Sequence, residues 1–154
     1  MTTRTKADLY LKAALKEAKK AAEKDEVPVG AVVVHQGKII ARGHNLRESK
    51  QSITGHAELV AIIKASKKLG SWRLNECDVY VTLEPCPMCA GAMQQARVRH
   101  VYYGARDTKA GVDSLKINIH ENPKLNHRYK MDCLEEAECG AILSRFFRNK
   151  RLKK

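Results

Sequence analysis

The stretch DVYVTLEPCPMCAGAMQQA, residues 78–96, predicts a strand, a corner and a helix in direct succession. Its first part is rich in β-branched, aromatic and aliphatic residues, which predicts a strand over residues 78–83. Glu84-Pro85 then turns the chain. Pro87 suits the first position of a helix, where its missing N–H group costs nothing, and a helix is predicted over residues 87–96. A strand that leads directly into a helix is typical of an α/β fold.

Cys86 and Cys89 lie three residues apart at the start of that helix, so both sulfur atoms can face the same way. The N-terminus of a helix carries partial positive charge, which favours thiolates. His56 and Glu58 lie upstream, in the predicted first turn of another helix. Two thiolates and one imidazole suit a zinc ion, with a fourth position for water and with Glu58 to move protons.

The Cys-x-x-Cys spacing alone also occurs in structural zinc sites and in thioredoxin-like redox motifs. The sequence contains no second such pair to complete a four-thiolate structural site, and its cysteines lack the aromatic context expected of a redox motif. Glu58 has a plainer alternative role, as favourable negative charge at a helix start. The spacing therefore favours zinc, and a catalytic zinc over a structural one.

The remaining segments predict helices and strands in alternation. Apolar residues recur at helical spacing in two segments, which predicts helices over residues 6–24 and 56–69. A third helix is predicted over residues 134–151, which are acidic at their start and basic at their end, as the helix dipole favours. Runs of β-branched and aromatic residues predict strands over residues 29–35, 38–43, 100–103 and 129–133. This alternation predicts one three-layer α/β/α domain over residues 1–154, with helices on both sides of a central sheet and a basic C-terminal helix or tail from about residue 134.

Two segments lack a regular pattern. Residues 44–54 are polar and irregular, and are predicted to form a loop that leads to His56. Residues 104–123 are predicted to be mostly loop, although Leu115, Ile117 and Ile119 alternate in a way that fits either a short strand or a turn.

The composition limits the classes of protein to which the chain can belong. Its 154 residues are 44% hydrophobic and 30% charged, as in a globular domain with one core. The chain has no apolar run near the ~20 residues of a membrane helix, and its N-terminus is polar. We therefore expect a cytoplasmic protein without a membrane segment. An odd count of five cysteines favours reduced thiols, with Cys77, Cys133 and Cys139 as small hydrophobic side chains. The net charge of +12 favours nucleic acid as a partner, with a solvated basic surface as the alternative.

The motifs as a set resemble those of a known superfamily. His56-Ala57-Glu58 followed by Pro85-Cys86-Pro87-Met88-Cys89 resembles the signature of the zinc-dependent nucleotide and nucleobase deaminases. The resemblance is closest to the bacterial tRNA-specific adenosine deaminases and covers about residues 9–151. It is carried by VPVGA at residues 27–31, Asn45, VTLEPC at residues 81–86, CAGAM at residues 89–93, GARD at residues 104–107, NHR at residues 126–128 and FFR at residues 146–148.

The resemblance implies a cytidine-deaminase-like fold with a mixed central sheet. It implies that His56, Cys86 and Cys89 hold one Zn²⁺ ion per subunit and that Glu58 is the catalytic proton shuttle. The reaction implied is the hydrolytic deamination of adenosine to inosine at the wobble position of a tRNA anticodon, carried out by a homodimer. The implied partner is therefore the anticodon stem-loop of a tRNA.

The resemblance also implies a set of RNA contacts, at Asn45, Asp107, Lys109, Asn126, Phe147 and Arg148. Asn45 would hold the extruded base and ribose, and the loop with Asp107 would touch the flanking nucleotides. The tail, residues 144–154, carries six basic residues and two adjacent aromatics, which suits phosphate binding and base stacking. One of these aromatics is expected to pack against the core, with Phe147 as the exposed one.

Two other functions fit parts of this pattern. A deaminase of free guanine, cytosine or a mononucleotide would share the zinc chemistry but would not need a basic, aromatic tail. A non-catalytic RNA-binding module with structural zinc would need the tail but not Glu58 or an open metal position.

Overall fold

The computed structural model describes residues 2–153; Met1 and Lys154, the last basic residue of the predicted tail, lie outside the described residues. Helices and strands alternate through this range. In chain order the elements are α1 (Thr3–Glu23), β1 (Gly30–His35), β2 (Lys38–His44), α2 (Arg47–Lys50), α3 (Ala57–Leu69), β3 (Cys77–Leu83), α4 (Pro87–Gln95), β4 (His100–Ala105), β5 (Lys130–Cys133) and α5 (Ala137–Leu152).

Within residues 2–153 the strands form one five-stranded sheet in the order β2-β1-β3-β4-β5. β1 pairs antiparallel with β2 and with β3, whereas β3, β4 and β5 run parallel to one another. The mixed sheet confirms the predicted fold class. The carboxyl ends of the parallel strands lie at one end of the sheet, which is where open α/β sheets bind their ligands.

Alternate residues of a strand point to opposite faces of a sheet, and each face here is covered by helices. In β1, Ala31 and Val33 belong to a core cluster that includes residues of α3 and α4. Val32 and Val34 belong to a second cluster, which includes residues of α1 and α5. The sheet is therefore buried on both faces, as the predicted three-layer arrangement requires.

The polar segment 44–54, predicted to be a loop, contains the short helix α2. This helix is stabilised by Glu26, a residue more than twenty positions earlier in the sequence. The buried carboxylate of Glu26 accepts hydrogen bonds from the backbone N–H groups of Glu48 (3.1 Å) and Ser49 (2.5 Å). A carboxylate placed there satisfies donors that the start of a helix leaves unpaired. No local signal in the segment indicates this contact.

The last helix begins at Ala137, not at residue 134 as predicted. Leu134 and Glu136 donate backbone hydrogen bonds to the end of β4, so the chain still runs beside the sheet there. Glu135, between them, has a φ of 53°, which a right-handed helix does not accept. Pairing with the sheet therefore delays the helix.

The segment between β4 and β5 consists of turns and irregular backbone. The backbone N–H groups of Leu115 and Ile117 bond to carbonyl groups within the same segment, which decides for a turn over a short strand. The bounds of the other predicted elements agree with the structure to within three residues. Among residues 2–153, no helix is long and apolar enough to cross a bilayer.

Candidate active site

Two helix starts converge just beyond the carboxyl end of β3. His56 is the N-cap residue of α3 and Cys86 is that of α4, and neither side chain forms a hydrogen bond that caps its own helix. The side chains face each other instead. Nδ1 of His56 lies 3.6 Å from Sγ of Cys86 and 3.4 Å from Sγ of Cys89. All three donor atoms lie within 4.8 Å of one another.

This donor set fits a tetrahedral zinc ion. Bonds of ~2.0 Å to nitrogen and ~2.3 Å to sulfur at the tetrahedral angle place those two atoms about 3.5 Å apart. The observed separations from His56, 3.4 and 3.6 Å, match that value. Two thiolates balance the charge of a divalent cation. Three protein donors leave a fourth position, as catalytic zinc sites do and four-thiolate structural sites do not.

Hydrogen bonds link the three donors, and a bound cation would take the place of their protons. The hydrogen bond from Cys89 lowers the pKa of the Cys86 thiol to about 4 against the opposing effect of burial, and His56 adds to the lowering. The same hydrogen bond raises the pKa of Cys89, and burial raises it further. The pKa of His56 is raised by its hydrogen bond with Cys86. Zinc binding would therefore release protons from Cys89 and His56.

Glu58 lies in the first turn of α3 and is almost fully buried, with 4% of its surface exposed. Burial raises the pKa of its carboxyl group to about 7; the charge of Cys86 adds to that effect and the charge of His56 opposes it. A carboxyl group with such a pKa can take up and release a proton near neutral pH. The alternative role, as surface charge at a helix start, does not account for this burial.

Glu84 holds the loop that carries Asp107 and Lys109 against the Cys86 segment. Its buried carboxylate accepts hydrogen bonds from the backbone N–H groups of Asp107 (3.0 Å) and Ser114 (2.7 Å). The carboxylate of Asp107 accepts a hydrogen bond from the backbone N–H of Lys109. Asp107, predicted to contact RNA, therefore also shapes the turn. The side chain of Lys109 is exposed.

Asn45 is buried at the start of the segment that leads to His56. Its Oδ1 accepts a hydrogen bond from the backbone N–H of Arg47 at 3.1 Å. Glu26, fully buried, holds the same segment through α2. Burial raises the pKa of Glu26, but hydrogen bonds from α2, those of Ser49 above all, outweigh this effect and lower the pKa overall.

Asn126 is exposed in the chain between β4 and β5, and the buried Gln94 of α4 donates a hydrogen bond to its Oδ1 at 2.9 Å. Sequence reasoning selected Asn126 and missed Gln94, as it missed Glu84 and Glu26. The only available signal was position. Each of these polar residues lies in or near a predicted helix or strand, but the pattern gives no hint of the partner.

Phe147 and Arg148 lie on α5 and are exposed, Phe147 over 44% of its surface. Phe146 is half-buried, so Phe147 is the outer of the two aromatics, as expected. Most buried residues of α5 cluster with α1 on one face of the sheet, whereas α3 and α4 cover the other. The structure therefore brings Glu58 to the donor set and leaves Phe147 and Arg148 on a separate helix.

The chain matches the MafB19-like deaminase family over residues 5–151. It is 53% identical over 152 residues to a tRNA-specific adenosine deaminase of Bacillus subtilis (strain 168), with 97% of this chain and 94% of that protein covered. A tRNA-specific adenosine deaminase of Aquifex aeolicus (strain VF5) is 44% identical over 144 residues, with 94% and 95% covered.

Solved structures show the same similarity. A structure from a biochemical and structural study of A-to-I editing by tRNA:A34 deaminases at the wobble position of transfer RNA gives a TM-score of 0.80 at 42% identity, covering 88% of this chain and 99% of that one. A guanine deaminase from Bacillus subtilis gives a TM-score of 0.65 at 31% identity, covering 97% and 95%. Both the identity and the TM-score favour the tRNA deaminase.

Proposed function

The chain belongs to the MafB19-like deaminase family and, within it, to the tRNA-specific adenosine deaminases, and on this premise we propose that it converts adenosine to inosine at the wobble position of a tRNA anticodon. The reaction is a hydrolysis in which water supplies the oxygen at C6 of the base and ammonia leaves. The observation that carries the proposal is a buried Glu58 beside the donor set of His56, Cys86 and Cys89.

His56, Cys86 and Cys89 would hold one zinc ion per subunit. When bound, the ion supplies a Lewis acid that makes the attacking water acidic near neutral pH. The N-termini of α3 and α4 both point at the site, and their partial positive charges stabilise the Cys86 thiolate before any metal arrives. The donor set is thus prepared by the fold.

Glu58 would carry protons and would not bind the metal. It takes a proton from the attacking water and delivers it to N1 of the adenine ring. It then transfers a second proton, from the hydroxyl group that has added to C6, to the amino group at C6, which leaves as ammonia. The pKa of about 7 that burial gives this carboxyl group suits transfer in both directions. Burial also excludes bulk water from the path of the proton.

The proposed RNA contacts are those that the family resemblance implies, at Asn45, Asp107, Lys109, Asn126, Phe147 and Arg148. An anticodon loop is single-stranded, so extruding its base requires little unstacking. Asn45 is suited to the extruded base because it is buried next to the segment that leads to His56. Phe147 and Arg148 are exposed and suited to stacking and to phosphate binding.

The direct test is incubation of the purified protein with an anticodon stem-loop that has adenosine at the wobble position, followed by nucleoside chromatography. Inosine is expected to accumulate in the stem-loop. Faster release of ammonia from free guanine, cytosine or a mononucleotide would reject the RNA substrate in favour of the free-base deaminase. RNA binding without any turnover would instead indicate a binding module.

We further propose one deaminase domain over the whole chain and a homodimeric, cytoplasmic enzyme. The domain is supported by the family match over residues 5–151, and the cytoplasm by the tRNA substrate. The homodimer is supported by the resemblance and by large apolar side chains left exposed, such as Ile53 at 81% and Ile63 at 51%. Sedimentation equilibrium should give twice the chain mass of 17.3 kDa.

A further inference from the structure

Gln94 is a buried polar residue of α4 whose side chain points at the chain between β4 and β5. It is 3% exposed. Its Nε2 donates two hydrogen bonds, to Oδ1 of Asn126 at 2.9 Å and to the backbone carbonyl of His127 at 3.4 Å. Both hydrogens of one amide group are therefore used on two neighbouring residues of the same loop.

The carbonyl contact settles which way both carboxamides face. A backbone carbonyl can only accept, so the atom that Gln94 turns towards His127 must be its amino group. The same amino group faces Asn126, which must therefore present its oxygen. Nδ2 of Asn126 is left pointing away from Gln94 on an exposed residue, and among residues 2–153 the structure records no protein acceptor for it.

Hydrogen bonds also hold the residues on both sides of Asn126. Nε2 of His127 lies 2.7 Å from the carbonyl oxygen of Val98, to which it donates a hydrogen bond. Arg128 donates to the carbonyl oxygen of Leu125 at 3.2 Å. Asn126 thus lies between residues that are held by hydrogen bonds, and Gln94 orients its side chain. A donor of fixed direction binds an acceptor with less loss of side-chain entropy than a free one.

We propose that Gln94 is a positioning residue that fixes the carboxamide of Asn126 as a hydrogen-bond donor to an acceptor oxygen of the RNA. This inference rests on the proposed function, because it takes the anticodon stem-loop as the ligand. Gln94 itself does not touch the RNA; it acts through Asn126. The acceptor is either a phosphate oxygen or a base or sugar oxygen, since all three accept from an amide N–H.

The decisive comparison is Gln94→Glu against Gln95→Glu. The carboxylate introduced by Gln94→Glu can only accept, so Asn126 must turn its Nδ2 inward and present an oxygen to the RNA. We expect KM for the stem-loop to rise roughly tenfold, the effect of one lost hydrogen bond, with kcat within about twofold of wild type. Gln95 is exposed on the same helix, so Gln95→Glu makes the same charge change and should leave KM unchanged.

Thermal melting and zinc content show whether Gln94→Glu is stably folded. If it is not, a double-mutant cycle of Gln94→Met and Asn126→Ala provides the test. Gln94→Met frees the carboxamide and should raise KM in the wild-type background but not in the Asn126→Ala background. Methylphosphonates placed singly along the loop then identify the acceptor. If one of them removes the advantage of wild type over Asn126→Ala, the acceptor is a phosphate oxygen; if the advantage survives all of them, it is a base or sugar oxygen.

The failure of this inference is distinguishable from failure of the proposed function. If wild-type protein makes inosine and the two Glu variants have equal KM values, Gln94 has no positioning role. A KM effect of Gln94→Met that persists in the Asn126→Ala background would also overturn it. If wild-type protein makes no inosine in the stem-loop, the proposed function fails and this inference fails with it.

Discussion

The carboxylate of Glu84 occupies the space beside Gly111 so fully that a Cβ at residue 111 would lie 2.2 Å from it. Glu84 lies two residues before Cys86, and Gly111 lies in the loop that carries Asp107 and Lys109. The segment that forms the candidate metal site and a loop proposed to bind RNA are therefore in van der Waals contact through this pair.

Gly111→Ala should displace that loop without disturbing the metal donors. We expect a loss of roughly 1–3 kcal/mol in the free energy of unfolding and a severalfold rise in KM for the stem-loop, with zinc content unchanged. Gly140→Ala is the matched control because a Cβ there meets only Ala105 at 3.8 Å. Urea unfolding and steady-state kinetics measure both effects, and equal behaviour of the two variants would contradict the contact.

Glu58→Gln should remove deamination while leaving zinc bound. The amide keeps the shape of the side chain but cannot accept and return a proton, so we expect a fall in kcat of at least ~10²-fold. Metal analysis should still find one zinc per chain. Glu23→Gln, at an exposed position, should be fully active. A Glu58→Gln variant that retained more than a tenth of the activity would exclude Glu58 as the proton carrier.

Removal of the metal by a chelator should abolish activity, and zinc should restore it. The metal-free protein should also become reactive at Cys86, because the pKa of that thiol is lowered to about 4. Iodoacetamide followed by peptide mass analysis should show modification of Cys86 that added zinc prevents. Cys77 serves as the internal control, since burial raises its pKa to about 11. Equal labelling with and without zinc would argue against Cys86 as a ligand.

Acid should destabilise the protein partly through Glu26. Its pKa in the folded state is lowered from the ordinary value of 4.5, so the stabilisation it provides is fully present above about pH 4.5 and is lost as the pH falls through the lowered folded value. Glu26→Gln should be less stable at pH 7 and should lose less stability between pH 5 and pH 3. Glu121→Gln, which is exposed, should keep the wild-type profile. Urea unfolding at each pH measures this difference, which should vanish if Glu26 does not hold α2.

The C-terminal helix should contribute to RNA binding in two separable ways, through the charge of its basic residues and through stacking by Phe147. Roughly six phosphate contacts would give a slope near −4 in a plot of log affinity against log salt concentration. Arg148→Ala should reduce the magnitude of that slope by about 0.7. Phe147→Ala should weaken binding by ~1–3 kcal/mol without changing the slope. Fluorescence anisotropy with a labelled stem-loop measures both, and a flat salt dependence would remove this helix from the interface.

Sequence patterns predicted those features of the fold and of the site that depend on residues close together in the sequence. β-Branched, aromatic and aliphatic residues predicted the strands β1 and β3, and Pro87 marked the start of α4. The donor residues could be named because their spacing reflects helix geometry. Helix α2 could not be predicted, because Glu26 lies more than twenty residues before it. Likewise, no local pattern joins Gln94 to Asn126, since the two residues lie 32 positions apart in the sequence.

Glu26, Glu84 and Gln94 each hold one loop by hydrogen bonds, and the structure records no residue shared among these bonds within residues 2–153. Substitutions in different loops should therefore combine additively, because sites without common partners rarely couple. Such modularity bears on evolvability. Because each loop has its own anchor, we expect a substitution that changes the RNA contacts of one loop to leave the other two loops and the metal donors in place.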